Sequence, residues 1–251
     1  MVGKSRYIIF FLIYKNLQLK YKHSALGFFW SLLHPFLYLL IFLAIFSAAF
    51  PSIANYPLYV LSGLVFWIYF SGGTNQLAQV FIKNTHLIKS LNVPKFIYPL
   101  TELGAELASF LLGLIPFMVI MFFMGLPVSF NLLWLIPVIL LFSIFIFSVG
   151  LILGSLNVFF RDVGILWITI NPALFYISPI AYSFNLVPQR FRFIINYNPL
   201  YYFLGIVRNV LYEGHAPSLH YTAYCLIITT FAALLAIFIY RKTRNGFISN
   251  L

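Results

Sequence analysis

The stretch from Leu132 to Phe159 reads LLWLIPVILLFSIFIFSVGLILGSLNVF and contains no charged residue. A transmembrane helix needs about 20 mostly apolar residues. Inside lipid, the backbone polar groups of such a segment are satisfied only when the segment forms its own hydrogen bonds. This stretch therefore predicts a helix that crosses a membrane.

The composition of the whole chain extends that prediction. Of the 251 residues, 63% are hydrophobic and 8% are charged, whereas a soluble domain carries about 25% charged residues. The chain is predicted to be an all-α polytopic membrane protein, with residues 1–251 forming a single transmembrane domain. The six predicted spans are Gly27–Phe50, Pro57–Phe81, Tyr98–Met124, Leu132–Phe159, Ile165–Phe184 and Tyr221–Tyr240.

Lysine and arginine set the predicted orientation. With six spans, twelve of the fifteen basic residues share the side of both termini, and only Arg190, Arg192 and Arg208 lie on the other side. Basic residues accumulate on the cytoplasmic side, so both termini are predicted to be cytoplasmic. The net charge of +11 then reflects this bias and attraction to anionic lipid heads. A clustered basic face on a soluble fold, which nucleic-acid binding needs, is missing.

Residues 5–24 are predicted to form an amphipathic helix lying in the membrane interface. Phe10, Tyr14, Leu17 and Tyr21 recur at helical spacing, and Lys15 lies on another face, as expected for such a helix. The alternative is a longer, irregular first span.

The outer connection at residues 187–214 is predicted to contain two short helices. Pro188 opens the first, and Asn198-Pro199 supplies an N-cap and a first-turn proline for the second. The second helix is expected to run to about Glu213 and to stop at Gly214. Both are too short to cross a bilayer, so they are predicted to be re-entrant or to lie on the outer face. An ordinary folded loop is the alternative.

No motif for covalent chemistry is present. Gly3-Lys4-Ser5 matches only the last part of a phosphate-binding loop, and no other lysine follows a glycine, so no ATP site of that kind is expected. The spacing of the five histidines does not indicate a metal site. The chain is therefore predicted not to be an enzyme, with no catalytic residue, metal or cofactor of its own. The single cysteine, Cys225, is expected to be a buried apolar side chain of the last span.

Three of the four acidic residues, Glu102, Glu106 and Asp162, are expected to form polar pairs, with acid–base catalysis or a proton relay as the alternative for the two glutamates. Glu102 and Glu106 lie one helical turn apart in the third span, where acids are costly and usually paired, and Lys95 or Arg161 are the expected partners. Arg161 and its neighbour Asp162 are expected to form an ion pair at a tight cytoplasmic turn, with contact to an ATPase as the alternative.

Two predicted helix faces are candidates for lining a channel. In the first span aromatic residues recur every four positions, and in the fifth span aromatic and polar residues alternate at similar steps. These residues are Tyr38, Phe42, Phe46, Trp167, Asn171, Phe175, Ser178 and Tyr182. Aromatic rings stack on the CH faces of sugars, so the pattern favours a path for a sugar chain; helix packing alone is the alternative.

Prolines interrupt the fifth span, and small residues mark the fourth. Pro172 and Pro179 each remove an intrahelical hydrogen bond, and the freed carbonyls are tolerated where they meet protein or a water-filled cavity. Gly150 and Gly154 form a G-x-x-x-G motif, which predicts close helix packing.

Five stretches together resemble one known family. They are LGFFWSLLHPFLYLLIF, FIKNTHLIKSLNVPKFIYPL, VFFRDV, NPALFYISPIAYSF and INYNPLYYFLGIVRNVLYEG. In this combination and order, the chain is similar over its whole length to the permease subunits of type-2 ABC exporters of polysaccharide, in particular those of O-antigen and teichoic-acid chains.

The resemblance implies an assembly, a substrate and a set of functional residues for this chain. It implies a homodimer in the bacterial inner membrane, bound to two copies of a cytoplasmic ABC ATPase that holds the ATP and Mg²⁺. It implies a lipid-linked, O-antigen-like glycan as substrate, a channel between spans one and five, and a coupling helix at residues 84–93. The residues expected to couple to the ATPase are Asn84, Thr85, His86, Leu87, Lys89, Arg161 and Asp162. The residues expected at the outer gate are Arg190, Tyr197, Tyr201, Tyr202 and Arg208.

Two alternatives stay open at this point. One is a permease of the same superfamily that moves another lipid or a drug. The other is a membrane-embedded transferase acting on polyprenyl substrates, although such enzymes need acidic clusters for a divalent metal and the four acids are scattered.

Overall fold

The computed structural model describes residues 2–21, 29–46, 53–90, 93–123 and 128–250. These ranges contain helices and connecting segments, with no β-strand among them, which confirms the predicted all-α class. The α-helices are α1 Val2–Tyr21, α2 Phe29–Phe46, α3 Tyr56–Lys83, α4 Thr85–Ser90, α5 Ile97–Phe123, α6 Leu135–Asn157, α7 Asp162–Ile177, α8 Arg192–Asn196, α9 Pro199–Leu211, α10 Leu219–Thr243 and α11 Phe247–Asn250.

Helix α3 is the centre of the bundle. It packs most extensively against α5 and α6, and it also contacts α2, α7 and α9. Its side chains are buried along most of its length, from Leu58 through Phe66 and Tyr69 to Phe81. The cleft described below is therefore built against this helix.

Two glycines let α6 approach α3 closely. A Cβ on Gly150 would lie 2.4 Å from the Cβ of Leu77, and a Cβ on Gly154 would lie 2.5 Å from the Leu77 carbonyl oxygen. Real side chains do not reach such distances, so glycine is required at both positions. The predicted close-packing role of the motif is confirmed, and its partner is α3 of the same chain.

Three helical segments of the described ranges are long and apolar enough to cross a membrane: Ile97–Phe123, Phe130–Asn157 and Leu219–Asn250. They correspond to the third, fourth and sixth predicted spans. Helices α2 and α3 coincide with the first and second predicted spans, and the flanks of α2 lie outside the described residues. The number of six spans and the orientation of the termini stay predictions.

The fifth predicted span differs from the structure. It was expected to run from Ile165 to Phe184, but α7 ends at Ile177 and Ser178 is extended, with φ −82° and ψ 133°. The residue before a proline is pushed out of the helical region, so Pro179 ends the helix, whereas Pro172 is accommodated inside it.

The helix predicted at residues 5–24 appears as α1, which packs along α5. Leu12 is buried in this contact, and Ile13 lies against Gly104. Phe10 and Tyr14 of the predicted apolar stripe are exposed. These two rings thus point away from the bundle, Leu17 is half-buried, and insertion of the stripe into a membrane interface stays a prediction.

The outer connection holds helical turns at Phe184–Leu186 and Gln189–Phe191, followed by α8 and α9. Asn198 caps α9 through its side-chain oxygen, which accepts a hydrogen bond from the backbone N–H of Leu200 at 3.0 Å. The predicted start of this helix is therefore confirmed, and its last residue is Leu211 rather than Glu213.

Candidate translocation cleft and its surroundings

A cleft of about 830 Å³ lies between α2, α3 and α7, and one end of it reaches α1 and α5. Tyr38 and Phe42 of α2 form one wall, and Phe175, Tyr176 and Tyr182 form the wall opposite. The ring centroids of Phe42 and Phe175 are 5.8 Å apart. Polar side chains of Lys20, Ser71, Gln76, Glu106, Asn171 and Ser178 also line the cleft. The cavity therefore combines aromatic rings with hydrogen-bonding groups.

Most of the predicted lining residues meet at this cleft. They are Tyr38, Phe42, Asn171, Phe175, Ser178 and Tyr182. Trp167 instead packs with its ring centroid 6.2 Å from that of Phe70, and its Nε1 donates a hydrogen bond to the hydroxyl of Thr74 at 3.2 Å. The side chain of Phe46 lies outside the described residues. That these residues contact a substrate stays a prediction.

Asn171 attaches α7 to α3. It is buried, the Ser71 hydroxyl donates to its Oδ1 at 2.6 Å, and its Nδ2 donates to the Thr74 hydroxyl at 3.4 Å. Asn171 thus packs α7 against α3 and also borders the cleft.

The backbone beyond the end of α7 is held by side chains from other helices. The Tyr56 hydroxyl donates to the Ala181 carbonyl at 3.0 Å, and the Tyr59 hydroxyl donates to the Tyr182 carbonyl at 3.0 Å. Arg208 donates from Nη2 to the Ile180 carbonyl at 2.8 Å. We call Tyr56, Tyr59 and Arg208, together with the backbone of residues 180–182, the outer clasp.

Arg208 is the buried centre of the outer clasp. It is 8% exposed, and its guanidinium carbon lies 3.7 Å from the centroid of the Tyr59 ring. A Cβ on Gly63 would come within 3.1 Å of its Nη2, so α3 leaves room for the cation. A buried cation above an aromatic face is stabilised by about 2 kcal/mol when it is desolvated. Arg208 therefore fixes α9 against α3 and against the break after α7.

The other residues predicted at the outer gate differ in exposure. The Tyr201 hydroxyl lies 3.1 Å from that of Tyr221, and the Tyr202 ring stacks on Tyr224 with centroids 3.8 Å apart. Tyr197 is 81% exposed. Arg190 is exposed as well, and its guanidinium lies over the Phe191 ring at 4.7 Å. Tyr201 and Tyr202 thus help to attach α9 to α10.

The opposite end of the cleft carries paired polar groups from α1 and α5. Lys20 Nζ lies 3.0 Å from both carboxylate oxygens of Glu106, and Asn16 Nδ2 donates to Glu102 at 2.7 Å. We call these four residues the α1–α5 ladder. Among the described residues, Lys20–Glu106 is the one ion pair.

The predicted partners of these acids were wrong. Lys95 instead donates to the Arg244 carbonyl at 2.9 Å, and Arg161 is exposed at the α6–α7 turn. The pairing arises because Asn16 and Lys20 are one helical turn apart, as are Glu102 and Glu106, and α1 packs along α5.

Helix α4 presents a small surface. His86 and Lys89 are exposed, and Ile88 is buried beneath them.

The other predicted coupling residues of this segment are less accessible. Asn84 and Thr85 are half-buried, and their side chains donate to the carbonyls of Val80 at 2.8 Å and Ile82 at 2.7 Å. Leu87 is half-buried as well. Within α4, the accessible part of the predicted coupling surface is thus mainly His86 and Lys89.

The turn between α6 and α7 is held by an asparagine. Asn157 Nδ2 donates to the Ala78 carbonyl at 2.7 Å, and its Oδ1 accepts from the Gly164 N–H at 3.1 Å. Arg161 and Asp162 form no ion pair with each other in this described turn, which corrects the prediction. Both side chains are exposed, and the hydrogen bonds of Asn157 connect this turn to α3.

Comparison with known proteins decides the family. The sequence profile of the family described as "ABC-2 type transporter" matches residues 7–212. This chain belongs to the ABC-2 type transporter family. The resemblance drawn from its five motifs is thereby confirmed, and the matched residues include the cleft, the outer clasp and α4.

Characterised relatives of this ABC-2 transporter chain include polysaccharide permeases. It is 36% identical over 189 residues to the O-antigen export system permease protein RfbA of Klebsiella pneumoniae, covering 74% of this chain and 73% of the relative. It is 25% identical over 220 residues to the RfbA protein of Myxococcus xanthus, covering 85% and 83%. It is 24% identical over 234 residues to the polysialic acid transport protein KpsM of Escherichia coli, covering 89% of each chain.

Several site residues of this ABC-2 transporter chain escaped the sequence interpretation. Tyr56 and Tyr59 donate to carbonyls more than 120 residues away in sequence, and Asn157 is contained in a long apolar run. The one local signal for Asn157 is its position: it is an amide at the end of an apolar run, and the charged residues Arg161 and Asp162 follow it closely.

Proposed function

We propose that this chain is the permease of an ATP-driven exporter that moves a lipid-linked, O-antigen-like polysaccharide across the inner membrane of a bacterium. In this proposal it has six spans with both termini in the cytoplasm, and it acts as a homodimer. Two copies of a cytoplasmic ABC ATPase bind the ATP and Mg²⁺ and supply the energy. The family membership and the polysaccharide named for each of the relatives support the class of cargo.

The aromatic cleft between α2 and α7 is the observation that carries this proposal. Rings at Tyr38, Phe42, Phe175 and Tyr176 offer flat faces for the CH surfaces of sugars. The hydroxyls and amides along the same cavity offer hydrogen bonds to sugar hydroxyls. Contacts of this kind are weak and repeated, so a glycan advances without a single strong binding site to hold it.

The exposed face of α7 supports a second copy of the chain. In this helix only Gly164 and Asn171 are buried, whereas Ile165, Ile168 and Tyr176 are more than half exposed. The cleft is bounded by one chain, and a second chain facing α2 and α7 would close it into a path.

The entry and exit of the substrate follow from the two ends of the cleft. The basic residues of α1 near Lys20 attract the anionic pyrophosphate head of the glycan lipid. At the other end, α8 and α9 leave the path when the outer clasp loosens. A push from the ATPase on α4 reaches the cleft through α3, because α3 precedes α4 directly and lines the cavity along its length.

Alanine substitution of the rings tests the proposal. We compare Tyr38→Ala combined with Tyr176→Ala against Phe231→Ala, which removes an exposed ring of α10 that does not line the cleft. Two lost stacking contacts of about 0.7 kcal/mol each correspond to about a tenfold fall in export. The readout is glycan at the cell surface, detected by antibody in cells that also produce the ATPase. Normal display by a correctly folded double variant would remove the assignment of this cleft as the path.

A further inference from the structure

A second hydrophobic core contains the buried side chain of α4, and the segment after α10 contributes the ring of Phe247 to it. Phe247 is fully buried, with its ring centroid 4.6 Å from that of Phe81 and 6.2 Å from that of Phe159. The same core contains Ile88, which is the buried residue of α4. The segment that follows α10 therefore returns to the bundle beneath the predicted coupling helix.

The segment is also attached to the chain that follows α4. Lys95 Nζ donates to the backbone carbonyl of Arg244 at 2.9 Å and lies 5.6 Å from the centroid of the Phe247 ring. Phe81 precedes α4 in sequence and Lys95 follows it. The C-terminal segment thus contacts both flanks of the helix.

Helix α4 depends on such support. It has six residues, and an isolated helix of fewer than about 12 residues is not stable by itself. Its position is therefore set by the surface on which Ile88 rests. A fully buried ring and a hydrogen bond hold residues 244–250 in place, whereas the adjacent Ile248 is 57% exposed.

We propose that residues 244–250 form a brace that fixes α4 and that Phe247 is its positioning residue. This inference rests on the proposed function, in which the ATPase pushes on α4. A push moves α3 only if α4 does not yield against the core beneath it. Without the Phe247 ring, α4 is displaced within a partly emptied core, and ATP is hydrolysed with little export.

The first experiment measures coupling in the complex of the full-length chain with its ATPase. The variants are Phe247→Ala, the matched neighbour Ile248→Ala and the conservative Phe247→Leu. Because the energetic coupling between distant sites typically corresponds to a factor of about 5 or more, we expect Phe247→Ala to lower glycan export per ATP hydrolysed at least about fivefold. ATPase co-purification stays unchanged, Ile248→Ala matches the unsubstituted chain, and Phe247→Leu recovers part of the coupling. An unchanged ratio in Phe247→Ala overturns the brace.

The second experiment does not depend on transport. A nitroxide attached at Lys89→Cys, in a chain carrying Cys225→Ala, reports the motion of α4 in the full-length protein in nanodiscs. We expect a more mobile spectrum with Phe247→Ala and an unchanged spectrum with Ile248→Ala. If Phe247→Ala does not fold, Lys95→Met removes the hydrogen bond to Arg244 and is measured in the same way. Equal mobility in the folded variants contradicts the brace.

The two experiments separate the two proposals. If the unsubstituted chain recruits no ATPase and exports no glycan, the proposed function fails, and the spectrum at position 89 still decides whether the C-terminal segment holds α4. If export is normal and the spectra are unchanged, the brace alone fails.

Discussion

Helices α3 and α7 are neighbours in the bundle and have opposite surroundings. The 28 residues of α3 are buried for most of their length, including small and polar residues such as Ser62, Gly73 and Thr74. The 16 residues of α7 bury only Gly164 and Asn171. The helix at the centre is thus the one that carries small and polar groups, and the peripheral helix exposes isoleucine and leucine.

This difference shows what organises a bundle in lipid. Lipid chains are as apolar as leucine, so burial of apolar surface does not select which helix lies inside. Small residues allow close approach, and polar side chains find partners in neighbouring helices. The three described segments that are long and apolar enough to cross a membrane accordingly do not include α3.

The largest expected effect concerns the contact of α3 with α6. Gly154→Leu places side-chain atoms against the Leu77 carbonyl, where even a Cβ lies at 2.5 Å. Overpacking costs about 1–3 kcal/mol when side chains can yield, and more is expected here because the obstacle is backbone. Leu140→Phe, at an exposed position of the same helix, is the matched control. Size-exclusion chromatography of the detergent-solubilised variants should show folded protein only for the control, and a stable Gly154→Leu would contradict the packing described.

A smaller effect is expected at the outer clasp, which connects α3 to the backbone beyond α7. Arg208→Met removes the buried cation from the Tyr59 ring and should lower stability by about 2 kcal/mol. Arg190→Met removes an exposed cation from a ring at 4.7 Å and should cost at most about 0.5 kcal/mol. Thermal unfolding of both purified variants measures the difference. Similar melting temperatures would mean that the clasp does not stabilise the outer helices.

The inner contact of α7 with α3 should be weaker still. Asn171→Ala removes the acceptor for Ser71 and the donor to Thr74, and interhelical hydrogen bonds in membranes contribute about 0.6 kcal/mol each. A loss of about 1 kcal/mol is therefore expected for the two bonds. A double-mutant cycle with Ser71→Ala isolates the first bond, and zero coupling would show that this bond does not contribute to the packing of α7 on α3.

Tyr59→Phe gives the smallest predicted change. It deletes the hydroxyl that donates to the Tyr182 carbonyl and keeps the ring beneath Arg208, so a loss of about 0.6 kcal/mol is expected. Thermal unfolding beside Arg208→Met tests this order. If Tyr59→Phe were the more damaging change, the hydroxyl rather than the cation would hold the break after α7.

Local patterns predicted much of the fold. The uninterrupted run that became α6, the close-packing glycines 150 and 154, and the Asn198 cap of α9 are each decided by residues close together in sequence. Such features depend on backbone hydrogen bonding and steric limits that act within a few residues.

Partners distant in sequence could not be read in the same way. The partners of Glu102 and Glu106 depend on the register between α1 and α5. The burial of Arg208 depends on the space that Gly63 leaves on α3. The sequence pattern predicted that Pro179 frees a carbonyl within the fifth span. The structure shows that it ends α7 at Ile177 instead. In each case the outcome depends on which helix faces come together, and a single sequence does not specify this.

The α1–α5 ladder has equal spacing on both of its sides. Because each helix repeats its polar group after four residues, at a rise of about 1.5 Å per residue, a slide of α1 by about 6 Å along α5 would bring Lys20 opposite Glu102. Intermediate positions leave the ammonium group between carboxylates. The spacing of this ladder thus favours discrete resting positions of the N-terminal helix over gradual sliding.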